Sequence, residues 1–195
     1  MTSIIPGRPT YHDGVSDDDR LRWDARYRDR APATRDDVAL PRVFQPYAHV
    51  FPITGTALDL ACGRGTAALW LAERGLTVRG YDVSPVAVAR ARILAEECGY
   101  AARCRFDVAD LDAGLPPGEA VNVLLCNKFR DPRLDEPMVE RLAAGGLLAV
   151  SALSRVGASA GPFRAGLGEL ERAFAALQVI GCGEADGEAW LLARR

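Results

Sequence analysis

From Thr56 onward, short apolar runs alternate with stretches of helical spacing. The runs fall at 56–61, 76–81, 102–106, 120–126 and 146–153, each the length of a strand buried on both faces. Between them, 64–74, 84–97 and 134–143 carry helical spacing, and Gly75 is placed to cap the first. This rhythm predicts an α/β domain with a doubly wound, Rossmann-like sheet. The end of the chain breaks the rhythm. A helix over 168–177 leads into runs at 177–182 and 188–193, separated by a short Gly/Asp loop. No crossover helix fits in that loop, so the two runs predict an antiparallel hairpin. The expected fold is a mostly parallel, seven-stranded sheet ending in that hairpin.

Ahead of Thr56 the pattern is weaker. Residues 1–14, with Pro6, Gly7, Pro9 and Gly14, show no periodicity and read as a leader. Ser16 followed by Asp17, Asp18 and Asp19 marks a helix start, with a capping side chain and acids near the positive end of the dipole. Trp23 and Tyr27, four apart, share one face of that helix. A break over 31–37 precedes a second short helix over 38–48, interrupted by Pro41 and Pro46.

Composition narrows the function classes. A chain of 195 residues suits one α/β domain with a substantial core. A net charge of −2 gives no electrostatic footprint for nucleic acid or an anionic membrane. Lys128 is the sole lysine; with so much Ala and Gly, the arginine excess reads as coding bias. Five cysteines without a CxxC pair or a histidine cluster argue against a disulfide framework or structural zinc, and no metal site is expected. Met1–Arg8 is too short and polar for a signal peptide, and no apolar run approaches the roughly 20 residues that span a bilayer. The expectation is a cytoplasmic protein with neither membrane nor nucleic-acid partner; monomer and homodimer both stay open.

The chemistry concentrates at Ala57-Leu58-Asp59-Leu60-Ala61-Cys62-Gly63-Arg64-Gly65-Thr66. A strand ends in a turn where Gly63 and Gly65 let backbone approach a ligand, and the following helix offers unpaired N–H groups. Asp82, ending the next strand, stands where this fold places a ribose-binding carboxylate. The glycine spacing also satisfies a dinucleotide fingerprint, but Asp59 would repel a pyrophosphate and suits a cationic amine. The terminal hairpin also takes the place of a second mononucleotide-binding half. Lys128 has Leu124 four residues before it, so the Tyr-x-x-x-Lys pair of a short-chain dehydrogenase is missing.

These residues resemble the class I S-adenosylmethionine (SAM)-dependent methyltransferases. The first motif is similar to Leu58–Gly65, with Ala61 at an often-glycine position; the second to Gly80-Tyr81-Asp82-Val83-Ser84; the third to Phe106-Asp107-Val108-Ala109-Asp110-Leu111. The resemblance implies SAM as cofactor and S-adenosylhomocysteine as product. It implies a cofactor site of Asp59, Ala61, Cys62, Gly63, Gly65, Asp82, Val83, Asp110, Leu111 and Cys126, with Asp82 on the ribose and Asp110, rather than Asp107, on the adenine amino group. Trp23-Asp24-Ala25-Arg26-Tyr27 and the compact frame are similar to the thiopurine and tellurite-resistance branch, which acts on small molecules. There the N-terminal helix lies over the cofactor, so Trp23 and Tyr27 are expected to pack on SAM and Arg26 to meet its carboxylate; the alternative is that both aromatics only dock the helix. On this reading 1–50 form leader and lid, and 51–195 the SAM-binding domain.

The reacting atoms are expected above the end of the fourth strand, at Cys126-Asn127-Lys128-Phe129-Arg130. This segment lacks the Asn-Pro-Pro-aromatic run of amide and exocyclic-amine methyltransferases. Lys128, which burial would turn into a base, and His49 are the candidate catalytic groups; Arg130 and Arg164 are candidates for a cationic substrate rim. The expected activity is methyl transfer to an S, O or N atom of a small molecule. RNA or protein methylation and a non-catalytic SAM-binding domain are the alternatives.

Overall fold

The computed structural model describes residues 14–156 and 164–195, with side chains from Asp18 onward. Five α-helices accompany eight strands among these residues: α1 (Gly14–Asp29), β1 (Thr56–Leu60), α2 (Thr66–Glu73), β2 (Thr77–Asp82), α3 (Pro85–Glu97), β3 (Cys104–Val108), β4 (Val121–Cys126), α4 (Asp135–Arg141), β5 (Leu142–Ser154), β6 (Arg164–Ala165), α5 (Glu169–Ala173), β7 (Gln178–Ala185) and β8 (Glu188–Arg194). The sheet runs β3-β2-β1-β4-β5-β8-β7, with the two-residue β6 beside β5. β1 to β5 are parallel, whereas β8 is antiparallel to β5 and to β7. The seven-strand path ending in an antiparallel hairpin therefore stands as read from the pattern, and β6 adds a short eighth strand.

Alternation along the central strands divides the core into two faces. Ala57, Val78, Val123 and Leu125 face α2 and α3, a side completed by Phe44 and Phe51. Leu58, Leu60, Leu124 and Cys126 face Leu134, Met138 and Phe174 on the other side. Asp59 shares the α2 side with Ala57, since residues two apart in a strand point the same way.

Two local details differ from the pattern, and a third follows it. Residues 42–50 form a 3-10 helix, because Pro46 has no N–H to give to an α-helical ladder. β5 begins at Leu142, inside the stretch with helical spacing, and absorbs Gly145, whose φ is +73°, as a strand irregularity. The β3–β4 connection, 109–120, carries only a 3-10 turn at Leu111–Ala113. A cavity of about 620 Å³ lined by Arg79, Tyr81, Arg105 and Arg141 opens on that uncovered sheet face, away from the glycine turn.

Candidate cofactor site and lid

The ends of β1, β2 and β3 are tied together by their own backbone. Cys62 N–H donates to the Tyr81 carbonyl at 3.0 Å, and Ala109 N–H to the Asp82 carbonyl at 3.0 Å. The turn after β1 is left-handed at Ala61 (φ +52°), Gly63 (+55°) and Gly65 (+77°). Gly65 then caps α2, and a β-carbon there would lie 2.9 Å from both Ala91 and Phe106, so the helix packs only over a bare α-carbon. Ala61 is the departure from the family's glycine, and its left-handed backbone shows why glycine is usual there.

Two buried carboxylates lie at this turn. Asp82 accepts from Gly63 N–H at 2.8 Å on one oxygen and from Ser84 N–H at 2.9 Å on the other. A carboxylate has about four lone-pair positions, so two protein bonds leave capacity for a diol. Burial pushes the Asp82 acid upward, while these two N–H donors pull it down. Asp59 is 2% exposed, and its Oδ2 has no hydrogen-bond partner. Burial, reinforced by the neighbouring Asp82 charge, pushes Asp59 up to about 8; the backbone N–H of Ala68, in the first turn of α2, opposes this.

An orphaned carboxylate oxygen beneath a glycine turn is what a cationic group would satisfy, and Asp82 beside it suits vicinal hydroxyls. The residues therefore fit a cofactor that carries both an ammonium and a ribose. Asp110 follows at the end of β3, where its side chain accepts from Asp112 N–H at 2.9 Å and starts the 3-10 turn. Leu111 is buried against that turn and Val83 is half-buried beside Asp82.

Over the glycine turn lies α1. Tyr27 stacks on Trp23 with ring centroids 6.0 Å apart, and its hydroxyl oxygen lies 2.8 Å from where a Gly63 β-carbon would stand. Burial and the Asp82 charge push the Tyr27 phenol upward, so it stays protonated. Arg26 is exposed, with its guanidinium 5.2 Å from the Trp23 ring centroid, and so faces the indole rather than the glycine turn. The end of α1 and the residues after it are fastened by arginines from the core: Arg90 donates to the carbonyls of Arg28 and Arg30, and Arg64 to that of Ala31. Such donors satisfy the carbonyls a helix end leaves open.

The loop after β4 corrects several expectations. Arg130 is 5% exposed, donating to Asp135 through both terminal nitrogens and to Glu169 through Nε at 2.8 Å. It joins the loop to α4 and α5 and forms no cationic rim. Arg164 is half-buried and donates to the Ser154 carbonyl at 2.8 Å; its neighbours Pro162 and Phe163 lie outside the described residues. Lys128 has left-handed φ (+58°), is 55% exposed in its side chain, and stands 3.4 Å from Glu188. The burial that would make it a base is therefore missing. His49 is exposed, two residues before Phe51, whose carbonyl accepts from Arg74 at the end of α2 remote from the glycine turn. It does not reach the site. Burial pushes the thiols of Cys62, Cys104 and Cys126 upward, the last two to about 12, so none is a reactive thiolate at neutral pH.

Two residues that hydrogen bonds tie to this site were not singled out from the sequence: Asp24, whose carboxylate accepts the Ser84 hydroxyl, and Ser84 itself. Ser84-Pro85, a capping residue followed by proline, was the available signal for the second; the first stands inside the Trp-x-x-x-Tyr segment with nothing local to mark its partner. Among the described residues no cluster of His, Cys, Asp or Glu suits a metal ion, and no helix is long and apolar enough to cross a membrane.

Residues 57–145 match the family model described as a methyltransferase domain. A 2-heptyl-1-hydroxyquinolin-4(1H)-one methyltransferase of Mycobacteroides abscessus is 44% identical over 59 residues, which is 30% of this chain and 26% of that protein. The match thus spans about a quarter of the curated relative. Among solved structures, TehB from Haemophilus influenzae superposes with TM-score 0.70 at 20% identity, covering 80% of this chain and 63% of that one. A protein solved in work on the conversion of a disulfide bond into a thioacetal group during echinomycin biosynthesis gives TM-score 0.64 at 24% identity, covering 90% and 92%. These two show the shared fold. The motif residues 58–65, 80–84 and 106–111 stand at the ends of β1, β2 and β3 within the domain match over 57–145, so this part of the chain is similar to the methyltransferase domain of SAM-dependent enzymes.

Proposed function

We propose that this chain transfers the methyl group of SAM to a small molecule whose thiol, chalcogenol or acidic hydroxyl ionises without a protein base. The supporting observation is the loop at the end of β4, whose polar side chains each have a partner within the protein. Asn127 accepts from Ser151 at 2.8 Å, Lys128 pairs with Glu188, Arg130 with Asp135 and Glu169, and Asp131 with Arg133. A site built this way aligns reactants rather than moving protons, and for in-line displacement alignment is most of the task. The relative from M. abscessus, named for a hydroxyquinolinone, is in keeping with a hydroxyl acceptor.

In this reading Asp59 holds the cofactor's ammonium, Asp82 its ribose hydroxyls and Asp110 its adenine amino group, with the backbone of 61–65, Val83 and Cys126 lining the floor. SAM supplies a methyl group made electrophilic by its sulfonium. Within the leader and lid segment 1–50, α1 over the glycine turn is the part that excludes water, and 51–195 form the cofactor domain.

The test is turnover of purified protein with SAM and panels of thiols, selenols, acidic hydroxyheteroaromatics and amines, read as S-adenosylhomocysteine by mass spectrometry. The expected result is methylation of thiols or acidic hydroxyls, with a pH profile that tracks each acceptor's own ionisation. Exclusive methylation of amines, RNA or protein would refute it, and SAM binding without turnover on any class would leave a non-catalytic binding domain.

A further inference from the structure

Among the described side chains of α1, Asp24 is the one fully buried, at 4% exposure. The helix has no apolar stripe to dock it, so what holds this carboxylate decides where the helix sits. Its Oδ1 accepts the hydroxyl of Ser84 and, at 3.4 Å, the N–H of Val86. Ser84 is itself fixed from the other side, because its Oγ accepts from Ala87 N–H at 3.1 Å as the cap of α3. The Ser84 N–H donates to Asp82, and the second Asp82 oxygen accepts from Gly63. A continuous chain of hydrogen bonds therefore runs Asp24–Ser84–Asp82–Gly63. Three residues after Asp24, Tyr27 places its hydroxyl over the same Gly63.

We propose that Asp24 is a positioning residue for the cofactor: by gripping Ser84 it orients the Asp82 carboxylate and, in the same contact, seats Tyr27 over the glycine turn. Lid closure and the set of the ribose acid are then one event. Asp24 touches no reacting atom and acts through Ser84. The inference rests on the cofactor reading given above, and it adds a link, sixty residues long in sequence, between lid and site.

Two variants separate this from a merely structural role. Asp24→Ala removes the acceptor, whereas Asp24→Asn keeps an oxygen for the Ser84 hydroxyl. Equilibrium titration with SAM is expected to give a Kd raised about tenfold in Asp24→Ala, the size of one lost hydrogen bond to a charged group. Asp24→Asn should return to within about threefold of wild type on the same grounds. Ser84→Ala combined with Asp24→Ala should weaken binding no more than the worse single change, since both break one contact. Tryptic cleavage at the α1 arginines supplies a second readout: saturating SAM should protect wild type and Asp24→Asn but not Asp24→Ala. An Asp24→Ala protein that binds SAM within twofold of wild type, whatever its melting temperature, overturns the proposal, as does Asn behaving like Ala. A wild type that fails to bind SAM takes down the cofactor reading along with the latch; a wild type that binds beside an equally competent Asp24→Ala takes down the latch alone.

Discussion

Asp59 and Asp82 are two buried carboxylates near the ends of adjacent strands, and the Asp82 charge makes Asp59 harder to ionise. Asp82 is compensated by the N–H groups of Gly63 and Ser84, whereas Asp59 keeps one oxygen without a partner. The imbalance puts the proton on Asp59, pushed up to about 8 first by burial and then by the Asp82 charge. Cys62, Cys104 and Cys126 nearby are held as neutral thiols.

A proton held on Asp59 in the free protein must leave when an ammonium arrives beside it. At pH 7 SAM binding is therefore expected to release close to one proton, read as a difference between calorimetric heats in phosphate and in Tris. The sign for stability follows from the same shift. Because the native state binds the extra proton, the free protein loses stability as pH climbs from the ordinary carboxylate range toward about 8, and Asp59→Asn should flatten that slope. Equal heats in both buffers would show that Asp59 is already ionised in the free protein.

Asp82→Ala should weaken SAM binding by two orders of magnitude or more, since two hydrogen bonds to a charged acceptor are lost, each about 1.5–3 kcal/mol. Asp82→Asn is a sharper probe. Its amide nitrogen must face the N–H of either Gly63 or Ser84, donor against donor, so binding and thermal stability should fall together. Retention of wild-type SAM affinity in Asp82→Asn would mean that the ribose is held elsewhere.

The parallel sheet and the glycine turn were legible because both depend on local signals: apolar runs of strand length at 56–61 and 120–126, and glycines where backbone must be left-handed. The placement of Asp59 on the α2 side follows from period two alone. The roles of the charged side chains were not legible. Arg130 and Arg64 read identically in sequence, yet one is buried between two acids and the other grips a lid carbonyl. Asp24 finds Ser84 sixty residues away, across a helix whose own pattern is nearly featureless. Lys128 was expected as a base, but Glu188 arrives from the hairpin, which no spacing argument near residue 128 could place.

The turn offers a paired test of backbone strain. Ala61 has φ +52°, costing an L-residue about 1–2 kcal/mol relative to the right-handed region. Ala61→Gly removes that strain while adding unfolded-state entropy of about 0.4–1 kcal/mol, so the net expectation is a neutral to slightly raised melting temperature. Gly63→Ala goes the other way. It introduces strain at φ +55° and drives a methyl to 2.8 Å from the Tyr27 hydroxyl oxygen, so stability should fall by about 1–3 kcal/mol, the range for strained backbone. Tyr27→Phe in the Gly63→Ala background should recover part of the loss by removing the oxygen. No recovery would place Tyr27 away from the turn in solution.

Arg130 is expected to be a stability residue and not a substrate residue. Its side chain is 3% exposed, with Asp135 and Glu169 on the guanidinium, and Gly166 N–H also donates to Glu169 at 2.7 Å. Arg130→Ala leaves two partly buried carboxylates facing one another across an empty slot, and breaking such a network from one side costs about 3–5 kcal/mol. Arg130→Lys restores the charge but not the fork that reaches both acids, so most of the loss should persist. Arg130→Met carries no charge and should fare no better, because the acids stay uncompensated. Chemical denaturation of the three variants, with SAM affinity measured below their transitions, distinguishes the roles. Lowered midpoints with SAM affinity intact support the clamp, whereas unchanged midpoints with a raised acceptor KM would restore Arg130 to the substrate rim.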